Sequence, residues 1–171
     1  MKIWQSGLLA AMLPIGLGAA PPVPLRAAIF GFAFDDTSLQ GELQGKRPDE
    51  QLRLTHLDAQ LKDLLTRSGC CTAVDLAAVA DRARNSDLQA CGACALDMAR
   101  QVGAQIAVTG WVQKVSDLIL NINAQIRDTE SGRVLSAGSV DIRGNTDESW
   151  SHGLAYLVRN RLLTPDWEAG R

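Results

Sequence analysis

Four cysteines carry the most distinctive chemistry in this 171-residue chain, and they lie in two clusters. Cys70 and Cys71 are adjacent, whereas Cys91 and Cys94 are separated by a glycine and an alanine. In an exported protein, an even number of cysteines predicts disulfide bonds. A bond between adjacent cysteines closes a strained ring, so Cys70–Cys71 is the least favoured pairing. A bridge between the clusters would close a loop of about twenty residues and add about 3 kcal/mol of stability. The sequence leaves the partner of each cysteine open.

The Cys-x-x-Cys pair also has a functional interpretation. Such a pair at the start of a helix can be redox-active, because the helix N-terminus stabilises a thiolate. Here Cys91 and Cys94 fall among the apolar positions of a helix predicted to run from residue 86 to Gly103, which favours a structural bridge. Zinc binding is disfavoured by the adjacency of two cysteines, and His56 and His152 lie off the apolar sides of their predicted helices. We therefore expect no metal and no cofactor.

The sequence offers little evidence of a catalytic site. The chain contains no nucleophile elbow, zinc-protease motif or phosphate-binding loop. Asp35 and Asp36 follow the first predicted strand and could hold a cation or a substrate amine, although paired acids at a strand end are typical of turns. We assign no catalytic residue. A formal charge of -2 without a basic stretch also argues against nucleic-acid binding.

A row of polar side chains alternates along one predicted strand. The row consists of Asn121, Asn123, Gln125 and Arg127. Residues of the next strand, including Ser139 and Asp141, could extend it. The face is either an ordinary solvated surface or a platform that binds a ligand or a partner.

The apolar periodicity predicts the elements that position these groups. Residues 26–34 read as a central strand with two apolar faces, on which Phe30, Phe32 and Phe34 share one side. Residues 35–48 read as a loop. Helical spacing follows from Asp49 to Gly69, more weakly over 75–84, then over 86–103, and again from Thr146. Short or alternating apolar runs predict strands near 70–74, 106–112, 118–126 and 133–143.

These elements give the order β-α-β-α(α)-β-β-β-α. We expect a single α+β domain with a mixed five-stranded sheet packed with helices, over residues 25–164. Residues 1–20 have a basic N-terminal region, a short apolar run and small residues at the end, as in a signal peptide. We expect this segment to be either cleaved near residues 18–20 or retained uncleaved. Residues 165–171 form a short tail. The expected location is the periplasm.

Several motifs resemble known periplasmic domains. The segments 103–110 and 127–133, joined by the alternating strand, resemble the TolB amino-terminal domain and its relatives among curli-secretion and peptidoglycan-synthase-activator lipoproteins. The Cys-x-x-Cys segment, the Thr-Gly strand and Asp147-Glu-Ser-Trp150 are similar to an uncharacterised secreted bacterial family, a domain of unknown function. The resemblance covers roughly residues 26–163. It implies a periplasmic sandwich of the order β-α-β-α-β-β-β-α that acts as a non-catalytic adaptor, and it transfers no catalytic residue.

The leading functional hypothesis is a disulfide-stapled periplasmic binding or adaptor module that presents a sheet face or a loop to a protein partner. We expect this partner to be a periplasmic or envelope protein, and we expect no membrane span after cleavage of the leader. The alternative is a periplasmic thiol redox protein or sensor that uses Cys91 and Cys94.

Overall fold

The apolar alternation along the chain builds a mixed sheet of five strands. The structure, a computed structural model, describes residues 23–164, so the predicted leader (1–20) and tail (165–171) lie outside the described residues. The strands are β1 (Leu25–Asp36), β2 (Cys71–Ala73), β3 (Ile106–Ser116), β4 (Ile119–Asp128) and β5 (Val134–Arg143). Their order across the sheet is β2-β1-β3-β4-β5. Strand β1 is parallel to both neighbours, and the other pairs are antiparallel.

Five α-helices connect these strands within the described residues. They are α1 (Leu39–Gln44), α2 (Pro48–Arg67), α3 (Ala80–Arg84), α4 (Cys94–Gln101) and α5 (Asp147–Leu157). A 3₁₀ turn (Ala77–Val79) precedes α3, and a π-helical turn (Val158–Leu162) extends α5. The predicted single α+β domain and its element order are confirmed, with α1 as an additional short helix in the segment 35–48. None of the helices in residues 23–164 is both long and apolar enough to span a membrane.

One face of the sheet is covered by α2 and α5, which together bury the main core. Helix α2 contributes Leu54, Leu57, Leu61 and Leu65, while α5 contributes Trp150, Leu154 and Leu157. Helix α5 approaches the sheet closely because a glycine replaces a side chain at the contact. A Cβ atom on Gly153 would lie 2.5 Å from Cγ2 of Ile142. The second face carries a smaller cluster, in which α4 packs on alanines of β1 and β3.

A bulge at Gly31 changes which side of the sheet β1 presents. Gly31 has a φ of 79°, and the pairing of β1 with β3 shifts register between Ile29 and Phe32. As a result Phe30 packs with the α4 cluster, whereas Phe32 and Phe34 pack with the main core. The prediction that the three phenylalanines share one face is wrong, because strict alternation cannot anticipate an inserted residue.

A buried lysine joins the ends of four elements. The Lys114 side chain of β3 is fully buried, and its Nζ lies 2.7 Å from Oε1 of Glu50 at the start of α2. The carboxylates of Asp117 and Asp36 lie 3.0 Å and 3.4 Å from the same nitrogen. Burial alone would lower the pKa of Lys114, but the hydrogen bonds to Glu50 and Asp117 raise it above its ordinary value.

The same cluster reaches α5 through an asparagine. Asn145 donates to Oε1 of Glu50 at 2.6 Å and accepts from Nε1 of Trp150 at 3.0 Å. Oε2 of Glu50 has no hydrogen-bond partner among the described residues. We refer to Lys114, Glu50, Asp36, Asp117 and Asn145 as the lysine cluster. Its members come from segments far apart in sequence, so it fixes how α2, β1, β3 and the start of α5 meet.

Replacing the central lysine should therefore destabilise the fold strongly. We expect Lys114→Met to lower the free energy of unfolding by about 3–5 kcal/mol, because the Glu50 carboxylate would be left buried without its cation. Urea denaturation would measure the loss. Lys62→Met, which alters a lysine of α2 outside this cluster, is the matched control and should change stability by less than about 0.5 kcal/mol. A loss below about 1 kcal/mol for Lys114→Met would contradict a central role of this cluster.

Candidate functional site

The sheet face opposite α2 and α5 is only partly covered. Helix α4 packs over one end of it, where small residues of β1 and β3 allow close approach. The contacting alanines are Ala28, Ala99, Ala104 and Ala107. Beyond this end, the face carries side chains from four strands that are mostly half-buried or exposed. We call this uncovered part the open face.

The pairing of the strands places a tryptophan near the centre of the open face. Trp111 of β3 lies between Ala33 of β1 and Asn123 of β4, and Ser139 of β5 continues the same row. The row above it contains Asp35, Gln113, Asn121 and Asp141. The row below contains Thr109, Gln125 and Ala137. The arrangement places one half-buried aromatic ring among mostly polar side chains, with Ala33 as its apolar neighbour on β1.

The polar row predicted from the sequence is divided between two roles. Asn121, Asn123 and Gln125 lie together on the open face, where Asn121 donates to Asp141 at 2.7 Å and Gln125 donates to Thr109 at 3.2 Å. Arg127 lies at the covered end. Its guanidinium donates to the carbonyl oxygens of Gly92 at 2.7 Å and of Gly132 at 3.0 Å. Arg127 therefore holds two turns in place and does not extend the open face.

The two adjacent aspartates after β1 are not brought together. Asp35 lies at the margin of the open face, whereas Asp36 points to the lysine cluster. Burial would raise the pKa of Asp36, but hydrogen bonds from Ser38 and the Lys114 ammonium lower it below the ordinary value. Ser38 in turn caps α1. Asp36 thus serves the fold, and the structure forms no paired carboxylate site from these two residues.

The cysteines pair within the second cluster. The structure joins Cys91 and Cys94 in a disulfide, with Cα atoms 5.6 Å apart, and both residues are half-buried. Cys70 and Cys71 are buried, and their sulfur atoms lie 3.4 Å apart without a disulfide between them. The hydrogen bond with Cys70 and burial together raise the pKa of the Cys71 thiol. No bridge joins the two clusters, so the expected gain from closing a long loop is absent.

The disulfide lies at the start of α4, and the prediction that it lies within a longer helix is wrong. Asp87 accepts hydrogen bonds from the amides of Gln89 and Ala90, which forms a turn where the helix was expected to begin. Helix α4 then starts at Cys94. The pair consequently has the position that favours thiolate chemistry, with Arg127 beside its connecting turn.

A cleft adjoins the open face at the edge of β1. It has a volume of about 280 Å³ and lies between the two central strands and residues 83–89. Its lining includes Phe30, Gly31, Asp58, Thr109, Trp111 and Gln125. Strand β2 pairs only with the first residues of β1, so the outer edge of β1 has no neighbouring strand at this level. The cleft is larger than the one between α2 and α5, which has a volume of about 200 Å³.

Asp58 of α2 occupies the inner side of this cleft. Its Oδ1 accepts the amide N–H of Phe32 at 2.7 Å, directly beside the bulge. A Cβ atom on Gly31 would overlap with that oxygen, and the positive φ of Gly31 disfavours any side chain, so glycine leaves room for the carboxylate at this position. Burial raises the pKa of Asp58 to about 6, and the hydrogen bond from Phe32 opposes this shift only in part. Asp58 and Trp111 were not identified from the sequence, because the bulge that brings them to one cleft leaves no periodic signal.

The described part of the chain matches one known family. The model of a family described as "Protein of unknown function (DUF2380)" matches residues 25–162. The chain belongs to this family. Membership in a family of unknown function, which the sequence motifs indicated, is thereby confirmed. A comparison with curated proteins finds no match.

Three solved structures each align with this DUF2380 protein over most of its length. The LpoB C-terminal domain from Salmonella enterica aligns with a TM-score of 0.52 and 15% identity, covering 73% of this chain and 87% of that chain. TolB from Acinetobacter baumannii aligns with a TM-score of 0.43 and 16% identity, and the alignment covers 82% of this chain and 29% of TolB. Lipoprotein GNA1162 from Neisseria meningitidis aligns with a TM-score of 0.44 and 18% identity, and the alignment covers 80% of this chain and 91% of GNA1162. The alignment with the LpoB domain confirms the predicted resemblance as a similarity of fold.

The raised pKa of Asp58 predicts a pH-dependent stability. An unfolded chain ionises this group near its ordinary pKa of 3.8, whereas the fold resists ionisation up to about pH 6. The contribution of the Asp58 carboxyl to stability is therefore complete below pH 3.8 and is lost as the pH rises through about 6. As the pH rises between these two pKa values, we expect the free energy of unfolding of Asp58→Asn to increase relative to that of the wild type by about 2–3 kcal/mol.

Urea denaturation of both proteins at a series of pH values would measure this difference. Asn keeps an acceptor for the Phe32 amide, so the comparison isolates the charge. Asp35→Asn, which alters a carboxyl at the margin of the open face, is the control and should follow the wild-type curve. Parallel curves for the wild type and Asp58→Asn would show that the Asp58 carboxyl is well solvated.

Proposed function

We propose that this DUF2380 domain is a non-catalytic binding module of the cell envelope that holds a protein partner on its open face. The observation that carries the proposal is the position of Trp111 near the centre of an uncovered four-strand surface, with Ala33 on one side, Asn123 on the other and polar residues in the adjoining rows. Tryptophan is enriched at the energetic centres of protein interfaces, where a polar rim excludes water. The arrangement therefore supports a contact of this kind.

Further features favour binding over catalysis. Within residues 23–164, no group of three or more His, Cys, Asp or Glu side chains is arranged to hold a metal ion. The polar groups of the open face bond mainly to one another, as Asn121 does with Asp141, and none of them faces an activated nucleophile. The leader pattern and the resemblance to periplasmic domains support an envelope location. The partner of this proposal is a periplasmic or envelope protein.

The thiol redox alternative gains support from one observation. The Cys91–Cys94 pair lies at the N-terminus of α4, and the Arg127 guanidinium donates to Gly92 between the two cysteines. A helix N-terminus and a nearby arginine both stabilise a thiolate. A disulfide that closes such a short loop also contributes little to stability through chain entropy, so a structural role explains it less well.

Site-specific crosslinking would test the adaptor function. A photoreactive amino acid at Asn123 should yield one discrete crosslinked species in cells, whereas the same group at Tyr156, exposed on α5 behind the sheet, should not. Trp111→Ala should weaken the complex about 10- to 30-fold, because tryptophans at interface centres contribute about 2 kcal/mol. Equal crosslinking from both positions, or an unchanged yield with Trp111→Ala, would argue against binding at the open face.

Reduction under controlled potential would test the redox alternative. If Cys91 and Cys94 form an exchanging pair, glutathione buffers of moderate reducing strength should open the bond, and intact mass after alkylation should rise by two groups. Arg127→Gln should then slow alkylation of the reduced pair at neutral pH, because its thiolate loses a neighbouring positive charge. A bond that opens only with strong reductant, together with an unchanged alkylation rate, would reject this alternative.

A further inference from the structure

The cleft beside the open face has the composition of a cation-binding site. Among the described residues that line it, Asp58 and Arg84 carry the charges. Arg84 lies at the rim and is paired with Asp81 on its own helix, so it does not neutralise Asp58. Asp58 is half-buried and receives its one hydrogen bond within residues 23–164 from the Phe32 amide. Its second oxygen is left to accept a donor from a ligand.

The remaining walls suit the apolar part of such a ligand. Phe30 and Trp111 both contribute to the lining, and aromatic faces attract ammonium and guanidinium groups as well as methylene chains. Gln125 donates to Thr109 within the same wall, which leaves the amide oxygen of Gln125 as a further acceptor. Gly31 has no side chain, so the path to Asp58 stays open.

We propose that this cleft binds an organic cation, a primary ammonium or a guanidinium carried on a short apolar chain, with Asp58 as its counter-ion. The cation lies between the carboxylate and the aromatic walls, and the chain fills the volume of about 280 Å³. Such a group occurs on free amines and on lysine or arginine side chains of proteins. The cleft shares Trp111 and Gln125 with the open face, but Asp58 lies in the cleft alone, so cation binding there does not require the adaptor function.

A partly desolvated carboxylate is suited to this role. A buried carboxylate without a cation is costly, which agrees with the raised pKa of Asp58. A bound cation restores the ionised form and recovers that cost. The affinity should therefore increase as the pH rises through about 6. Within residues 23–164, Arg84 is the other charged residue that lines the cleft, and it is paired with the exposed Asp81.

Titration followed by NMR would test the site directly, since the Phe32 amide and the Trp111 indole report from opposite sides of the cleft. The probes are N-acetyl-lysine methylamide, N-acetyl-arginine methylamide and agmatine, with N-acetyl-norleucine methylamide as the uncharged control. We expect the cations to shift both signals and the norleucine derivative to shift neither. Binding of the blocked amino acids alone would identify a protein side chain as the source, whereas binding of agmatine alone would identify a free amine.

Two variants separate charge from shape. Asp58→Asn should weaken cation binding by at least about 10-fold, since a hydrogen bond to a charged group is lost, while keeping the Phe32 contact. Asp35→Asn removes a carboxyl of the open face outside the cleft and should leave binding unchanged. Absence of binding by every cation, equal binding of the norleucine derivative, or full binding by Asp58→Asn would each overturn the proposal. Both sites use Trp111, but the NMR titration needs no partner protein whereas crosslinking from position 123 depends on one, so either proposal can fail while the other holds.

Discussion

The ion pair between Lys114 and Glu50 constrains how the rest of this molecule assembles. Both side chains are fully buried, so neither charge is tolerable without the other. The pair can form only when the end of β3 meets the first turn of α2, and Asn145 adds the start of α5 to the same point. The hydrophobic layers supply most of the favourable free energy of folding, but they tolerate sliding. The directional contacts of the lysine cluster fix their relative position.

A second constraint lies at the edge of β1 that faces away from β3. The bulge at Gly31 turns the amide of Phe32 outwards, where strand β2 has already ended, and Asp58 of α2 accepts it. A side chain thus replaces the neighbouring strand for one residue of an exposed edge. The same contact directs Phe30 to one face and Phe32 to the other. Helix α2 is therefore held to the sheet at two places, at Glu50 and at Asp58, about two turns apart.

The sequence predicts the layers of this fold better than it predicts the site. Helix α2, the strands β3 to β5 and the start of α5 follow from apolar periodicity and a threonine cap, because these elements each bury one regular face. Lys114, by contrast, continues the inward alternation of β3 as a charged residue, and its partner Glu50 reads as an ordinary first-turn acid. The Gly31 bulge and the turn at Asp87 are single-residue events without a period. They decide the position of Asp58 and of the cysteine pair, so these parts need three-dimensional information.

Three features near the cleft each carry a cost in free energy, although the contact between Asp58 and the Phe32 amide also holds α2 to the sheet. Gly31 adopts a left-handed conformation in the middle of a strand, Asp58 keeps a carboxyl where burial raises its pKa, and Trp111 stays uncovered while α4 stops short of it. Departures from local rules that converge at one place are characteristic of binding sites. Their coincidence around one cleft is better explained by a ligand than by three independent imperfections of packing.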